Sequence, residues 1–168
     1  MPLYIPGIIV EANSSQKPIL PKMKSPNEIY DTILLEIERI MGKDTTTNNI
    51  ELNELCKRIL GNKFIGVFSS DQIPKLKKGQ SCIANLDTSD KPGSHWISLY
   101  CNEARCYFYD SFGRPIKSFK NLQKRNRMVQ EAKDYDAEQS KTESNCGQRS
   151  ISWLCCCQIM PMDMVMTI

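Results

Sequence analysis

A chain with one histidine can do imidazole chemistry at only one place, and here that place heads a β-hairpin signature. His95 opens an alternating run to Cys101, and a second alternating run, Cys106 to Ser111, follows Asn102-Glu103-Ala104-Arg105. Alternate side chains along a strand share a face, so His95 goes with Ile97 and Leu99, and Asp110 with Phe108 and Cys106. With an even loop that pairs Cys101 with Cys106, Asp110 falls opposite Ile97. It is then the diagonal neighbour of His95, at about 7–8 Å between backbones. A three-residue loop would turn Asp110 to the Trp96 face, so the even loop is a condition the structure must meet. Glu103 in the turn and Asp87 before the strand are weaker candidates for the acid.

The rest of the chain supplies helices around that hairpin. Residues 1–24 carry four prolines (Pro2, Pro6, Pro18, Pro21) and little periodicity, which predicts an extended arm. Ser25-Pro26-Asn27-Glu28 is a helix start, with serine as N-cap, proline at the first position and glutamate reaching back. Ile29, Ile33, Leu34, Ile37, Ile40 and Met41 follow at helical spacing, and Gly42 is the stop. After a polar linker, Asn48 with Glu51 starts a second helix that ends at Gly61. The runs 64–68 and 82–86 have strand length, and Ile116, Phe119 and Leu122 predict a helix over 116–127. Residues 128–138 are ambiguous, with room for a short strand near Tyr135. Cys146 to Gln158 is apolar nearly all round, as in a central buried helix. Met160, Met162, Met164 and Met166 alternate strictly, which suggests an extended tail.

Composition narrows the class. With 168 residues the chain can bury one sound core. No apolar run approaches the roughly 20 residues of a membrane helix, and the start of the chain lacks a basic lead and is broken by proline. No membrane partner and no signal peptide are therefore expected, and the expected setting is a reducing compartment. The eight cysteines do not read as a disulfide framework, because Cys155, Cys156 and Cys157 are consecutive. Cys101 and Cys106 form the one close pair that suggests a metal knuckle, with no second pair to complete it, so no metal site is expected. Most of these thiols read as small buried apolar groups. Net charge is only +3, yet Arg114, Lys117, Lys120, Lys124, Arg125 and Arg127 run without an acid among them. They make either a solvated helix face or a DNA phosphate-binding patch.

Read together, His95, Asp110, Gln139 and Cys146 are an imidazole, an acid, an amide and a thiol in order: base, orienter, oxyanion donor and nucleophile. An aspartate beside His95 favours the charged imidazole, and a charged imidazole beside a thiol favours the thiolate. Cys146 opens a helix, whose free N–H groups and dipole also stabilise negative charge. Gly147 leaves room for a substrate backbone, while Gln139 and the Cys146 main-chain N–H serve an oxyanion. No cofactor is needed for that chemistry.

These residues resemble a known family. Gly93-Ser94-His95-Trp96, then Tyr107-Phe108-Tyr109-Asp110-Ser111-Phe112-Gly113, then Gln139 through Gly147 are similar to the adenovirus-type maturation proteases (adenain) and their relatives in virophages and Maverick/Polinton elements. The proteases that process ubiquitin-like proteins are similar at greater distance. The seven-residue step from Gln139 to Cys146 suits the adenovirus branch. Ile65-Gly66-Val67-Phe68 with Asp71 and Pro74 resembles the family's first strand and turn, so the likeness spans approximately residues 48 to 158. It implies an α+β, papain-like fold with a central, mostly antiparallel sheet and the nucleophile helix packed on it. The chain then divides into an arm and extra helix over 1–47 and a catalytic region over 48–168, in one compact unit.

The same resemblance implies a thiol endopeptidase that cuts viral capsid or core precursors near glycine during maturation. Such an enzyme works in the host cytoplasm or viral factory and is packaged in the virion. The sequence does not fix its oligomeric state, with a monomer favoured. Trp96 would wall the histidine, and DNA or a short peptide would be possible activators. The sequence departs from the family by its aspartate where adenovirus enzymes commonly have glutamate, and by its segment before residue 48. Two alternatives stay open: a deubiquitinase-like or SUMO-protease-like enzyme, and a non-enzymatic DNA-binding, capsid-associated protein.

Overall fold

The computed structural model describes residues 3–5, 8–10, 25–103, 105–115, 119, 129–130 and 137–168. The fold is α+β. A short hairpin, β1 (Leu3–Ile5) and β2 (Ile8–Val10), precedes helices α1 (Pro26–Met41) and α2 (Asn49–Leu60). Strands β3 (Phe64–Phe68), β4 (Ser81–Asn85), β5 (Trp96–Cys101), β6 (Cys106–Tyr109) and β7 (Val129–Gln130) form one sheet in that order. Helix α3 (Cys146–Ile159) and the short α4 (Met162–Val165) close the chain. Among the described residues no helix is long and apolar enough to cross a membrane.

Local chemistry explains the helix limits. Ser25 and Glu28, and again Asn48 and Glu51, satisfy each other's main-chain N–H groups in two capping boxes. Gly42 and Gly61 end the helices at φ 98° and 66°, where side chains are disfavoured.

The sheet is mixed rather than mostly antiparallel. The two central pairings, β4–β5 and β5–β6, are antiparallel, and the outer ones, β3–β4 and β6–β7, are parallel. A parallel pair needs a crossover, and residues 69–80 supply it between β3 and β4. That crossover is not wasted surface. Ile73 and Leu76 from it bury with Cys82, Ile97, Leu99 and Phe108 against one sheet face. On the other face Ile83, Tyr107 and Tyr109 join the apolar stripes of α1, α2 and α3 in a second, larger cluster. Helix α1 therefore shares a core with the sheet, and every residue of β4 is buried.

All of α3 except Cys146 and Gln158 is buried. Trp153 stacks on Tyr109 with ring centres 5.4 Å apart. Ser98 Oγ donates to the Ser150 carbonyl at 2.9 Å, and Ser150 Oγ donates to the Trp96 carbonyl at 3.3 Å. These bonds fix α3 along β5, and Cys146, one turn before Ser150, is thereby carried to the end of β5 where His95 stands.

Two further sequence expectations are corrected. The methionine-rich end is not an extended tail: α4 turns it, burying Met160, Val165, Met166 and Ile168. Met162 and Met164 are only partly covered, so the alternation did not mark one buried face. Cys101 and Cys106 are a disulfide, because the hairpin register sets them directly opposite each other. The helix expected over 116–127, Phe119 excepted, and the strand expected near Tyr135 lie outside the described residues.

Candidate active site

The hairpin meets the condition set by its sequence. Cys101 pairs with Cys106 and Ser98 with Tyr109, so the loop is four residues long and Asp110 continues the register opposite Ile97. His95 extends the β4–β5 ladder by one bond, its carbonyl accepting from the Leu86 N–H at 2.9 Å. Beyond the strand ends the two side chains converge, and His95 Nε2 lies 2.6 Å from Asp110 Oδ1. That leaves Nδ1 for Cys146, which stands in the same cleft wall and whose thiol pKa the imidazole lowers. Phe112 stacks on the imidazole at 4.6 Å between ring centres.

Asp110 is held from three sides. Besides His95, Oδ1 accepts from the Phe112 N–H at 3.1 Å, and Oδ2 accepts from Arg114 Nε at 2.8 Å. The carboxylate thus orders its own turn and orients the imidazole at once. The Arg114 guanidinium, 5.4 Å from the Phe112 ring centre and 5.5 Å from that of Phe119, closes the far side. Arg114 therefore belongs to this cluster. Lys117, Lys120, Lys124, Arg125 and Arg127 lie outside the described residues. Glu103 pairs with Lys78 at the exposed turn, and Asp87 lies on the rim of the cleft, away from the imidazole bond.

The electrostatics follow from these contacts. Burial works against a charged imidazole, but the bonds and charges of Asp110 and Cys146 outweigh it, and the His95 pKa is raised. Burial likewise opposes the Cys146 thiolate. The His95 bond, main-chain bonds from Trp96 and Gly147 and the imidazolium charge outweigh it and lower the thiol's pKa. Asp110, despite burial, is lowered by His95 and Arg114. All three shifts favour an ion pair.

The start of α3 is open. Asn145 stands at the N-cap without a side-chain bond to the first turn. Its amide bonds instead to Glu38 Oε1 at 2.9 Å and to Arg149 Nε at 3.0 Å. The first helical N–H groups are left to the sulfur and to whatever binds beside it. Gln139 is buried, but it is not one of the residues that line the cleft. Its Oε1 accepts from Ser111 Oγ at 2.6 Å, and its Nε2 donates to the Glu143 carbonyl at 2.6 Å. An amide nitrogen carries two N–H groups, so the oxyanion role rests on the second.

Gly147 packs closely against the 42–47 segment. A Cβ there would run into Thr47 Oγ1 and lie 3.0 Å from Leu52 Cδ2, so the glycine lets the 42–47 segment close over α3. Gln148 Nε2 donates to the carbonyls of Gly42 at 3.0 Å and Thr45 at 2.9 Å, and the Ser144 N–H donates to Asp44 Oδ1. The Trp96 indole, expected to wall the histidine, donates to the Thr47 carbonyl at 3.0 Å, and Phe112 is the ring on the imidazole. The segment that reads as a polar linker is therefore a strap. No sequence pattern marks it, because each of its partners lies roughly 50 or 100 positions away.

A cleft of about 550 Å³ runs between that strap and the β3, β4 and β5 ends, with Cys146, His95 and Trp96 in its wall. Thr47, Asn85 and Phe68 line it further out, and none of the three was signalled by sequence pattern. Among the described residues no group of three or more His, Cys, Asp or Glu side chains is placed to hold a metal. No protein-family model and no curated protein sequence matches the chain.

Proposed function

We propose that this protein is a cysteine endopeptidase of the adenain-like type, with a papain-like arrangement, that cleaves capsid or core precursor proteins during virion maturation. One observation carries the chemistry: Cys146 and His95 share the cleft wall, the imidazole lowers the thiol's pKa, and its Nε2 is held by a buried carboxylate. In that reading the thiolate attacks the scissile carbonyl carbon, and the oxyanion is met by the Cys146 main-chain N–H and Gln139. His95 gives the Nδ1 proton to the leaving amine, which leaves a thioester on Cys146. Water then attacks the thioester, with His95 taking its proton, and the acid product leaves.

The viral substrate class rests on the resemblance of the His95-Trp96, Asp110 and Gln139–Gly147 segments. A cleft walled by Trp96 and closed on one side by the strap suits small residues at the scissile bond, glycine above all. DNA as an activator would draw on the lysines and arginines from Lys117 to Arg127, since Arg114 is engaged on Asp110.

The test is exposure of a proteome-derived peptide library to the protein and to Cys146→Ser, with new termini read by mass spectrometry. The proposal expects many internal cuts enriched in glycine near the new terminus, absent with Cys146→Ser. Cleavage confined to the Gly-Gly end of ubiquitin-like fusions would favour the ubiquitin-like-protein alternative. No cuts, with or without added DNA, would overturn the enzyme.

A further inference from the structure

Asn85 is the last residue of β4, only 8% exposed, and it lines the cleft with His95 and Cys146. Its amide is oriented by two bonds. Oδ1 accepts from the Asp87 N–H at 2.9 Å and from the Ser94 N–H at 3.3 Å. With the oxygen committed to the turn backbone, the nitrogen end points the other way. A Cβ on Gly93 would lie 2.7 Å from Nδ2, and Gly93 lines the same cleft at φ 92°. The chain thus keeps the flank beside this N–H pair bare.

The register says where that donor stands. Asn85 pairs with Trp96, and both line the cleft with Cys146. Asn85 is therefore one strand spacing, about 4.8 Å, from the β5 end beside which Cys146 stands. Because Asn85 lines the cleft, this N–H pair is available to an acceptor bound there. A main-chain carbonyl oxygen is the acceptor that every stretch of peptide carries.

We propose that Asn85 Nδ2 donates a hydrogen bond to a main-chain carbonyl of the bound substrate, so that Asn85 sets the register of an extended peptide across Cys146. This rests on the cysteine endopeptidase reading above. Asn85 is then a substrate-binding residue, and Gly93 is glycine because any side chain would push against the donor.

The experiment compares two alkylators on the full chain: iodoacetamide, which carries no peptide, and acetyl-Gly-Gly-Gly chloromethyl ketone, which carries main-chain carbonyls. The readout is the ratio of their second-order rates at Cys146. Asn85→Asp keeps the acceptor for Asp87 and Ser94 and loses the donor, and dividing by the iodoacetamide rate removes any effect of the new charge on the thiolate. The ratio is expected to fall about tenfold, the size of one hydrogen bond, and Asn85→Ser is expected to show a similar fall. A ratio within twofold of the native value in both variants would overturn the Asn85 assignment alone. A native Cys146 that resists both reagents would overturn the endopeptidase reading and this assignment with it.

Discussion

Helix α3 carries four cysteines, and its two ends treat them differently. At the first residue, Cys146 meets an imidazole, two main-chain N–H groups and an uncapped helix start, and its pKa falls. Nine residues on, Cys155 is enclosed by apolar side chains and its pKa is pushed up to about 12, while Cys156 rises well above the ordinary range. Cys56 and Cys82, in the two cores, rise for the same reason. One residue type on one helix thus serves as nucleophile at one end and as packing at the other. Burial alone cannot make that distinction, because Cys146 is largely covered too; the donors around the sulfur make it.

The largest effects should come from removing those donors. Cys146→Ser and His95→Ala are expected to abolish peptide hydrolysis, with kcat/KM falling by about 10⁴-fold or more while thermal melting changes little. Residual turnover above a hundredth of native in either would break the contrast between the helix ends. Asp110→Asn is expected to cost about 10²–10⁴ in kcat, because an amide cannot hold the imidazole in the charged, oriented state. A loss below threefold would reduce Asp110 to a turn residue. Gln139→Ala is expected to lower kcat about 10²–10³-fold and KM far less, and equal changes in both would remove its oxyanion role.

At the buried end the expectation reverses. Cys155→Ser puts a hydroxyl among apolar side chains and is expected to cost ~1–3 kcal/mol of stability in a denaturant titration, with hydrolysis retained. Lost hydrolysis in a folded Cys155→Ser protein would mean that the two ends are not independent.

The pH profile sharpens the contrast further. Cys146 is lowered, so its thiolate persists to lower pH than a free thiol allows, and His95 is raised, so its imidazolium persists to higher pH. Falling pH ends the thiolate, and both alkylation and hydrolysis should decline together. Rising pH ends the imidazolium, which stops proton donation to the leaving amine but leaves a nucleophile. Hydrolysis should therefore be bell-shaped and alkylation should reach a plateau. A bell in both would place the upper limb in the fold and not in His95.

What the sequence made visible and what it hid divide along distance. The caps at Ser25 and Asn48 and the stops at Gly42 and Gly61 depend on neighbours within four residues, and they stand where the pattern places them. The His95–Asp110 contact was visible because pleat and loop parity convert fifteen positions of chain into one geometric choice. The strap hid because its bonds to Trp96 and α3 are tertiary, and a threonine-rich stretch looks like any linker. The contact of Arg114 with Asp110 hid for a related reason. Charge in a basic run says nothing about which cation folds back, and here the first one lies over Phe112 and onto Asp110. The contact of Gly147 with Thr47 hid for the same reason, since a helical glycine does not say what packs against it.

The account turns on whether one thiol among those on this chain is activated by one imidazole. The direct measurement is labelling of the native protein with a limiting amount of iodoacetamide at neutral pH, with each modified cysteine quantified by mass spectrometry. The account predicts label concentrated on Cys146 and lost in His95→Ala, with Cys56, Cys82, Cys155 and Cys156 untouched. Label spread evenly over those thiols, or undiminished at Cys146 without His95, would contradict it.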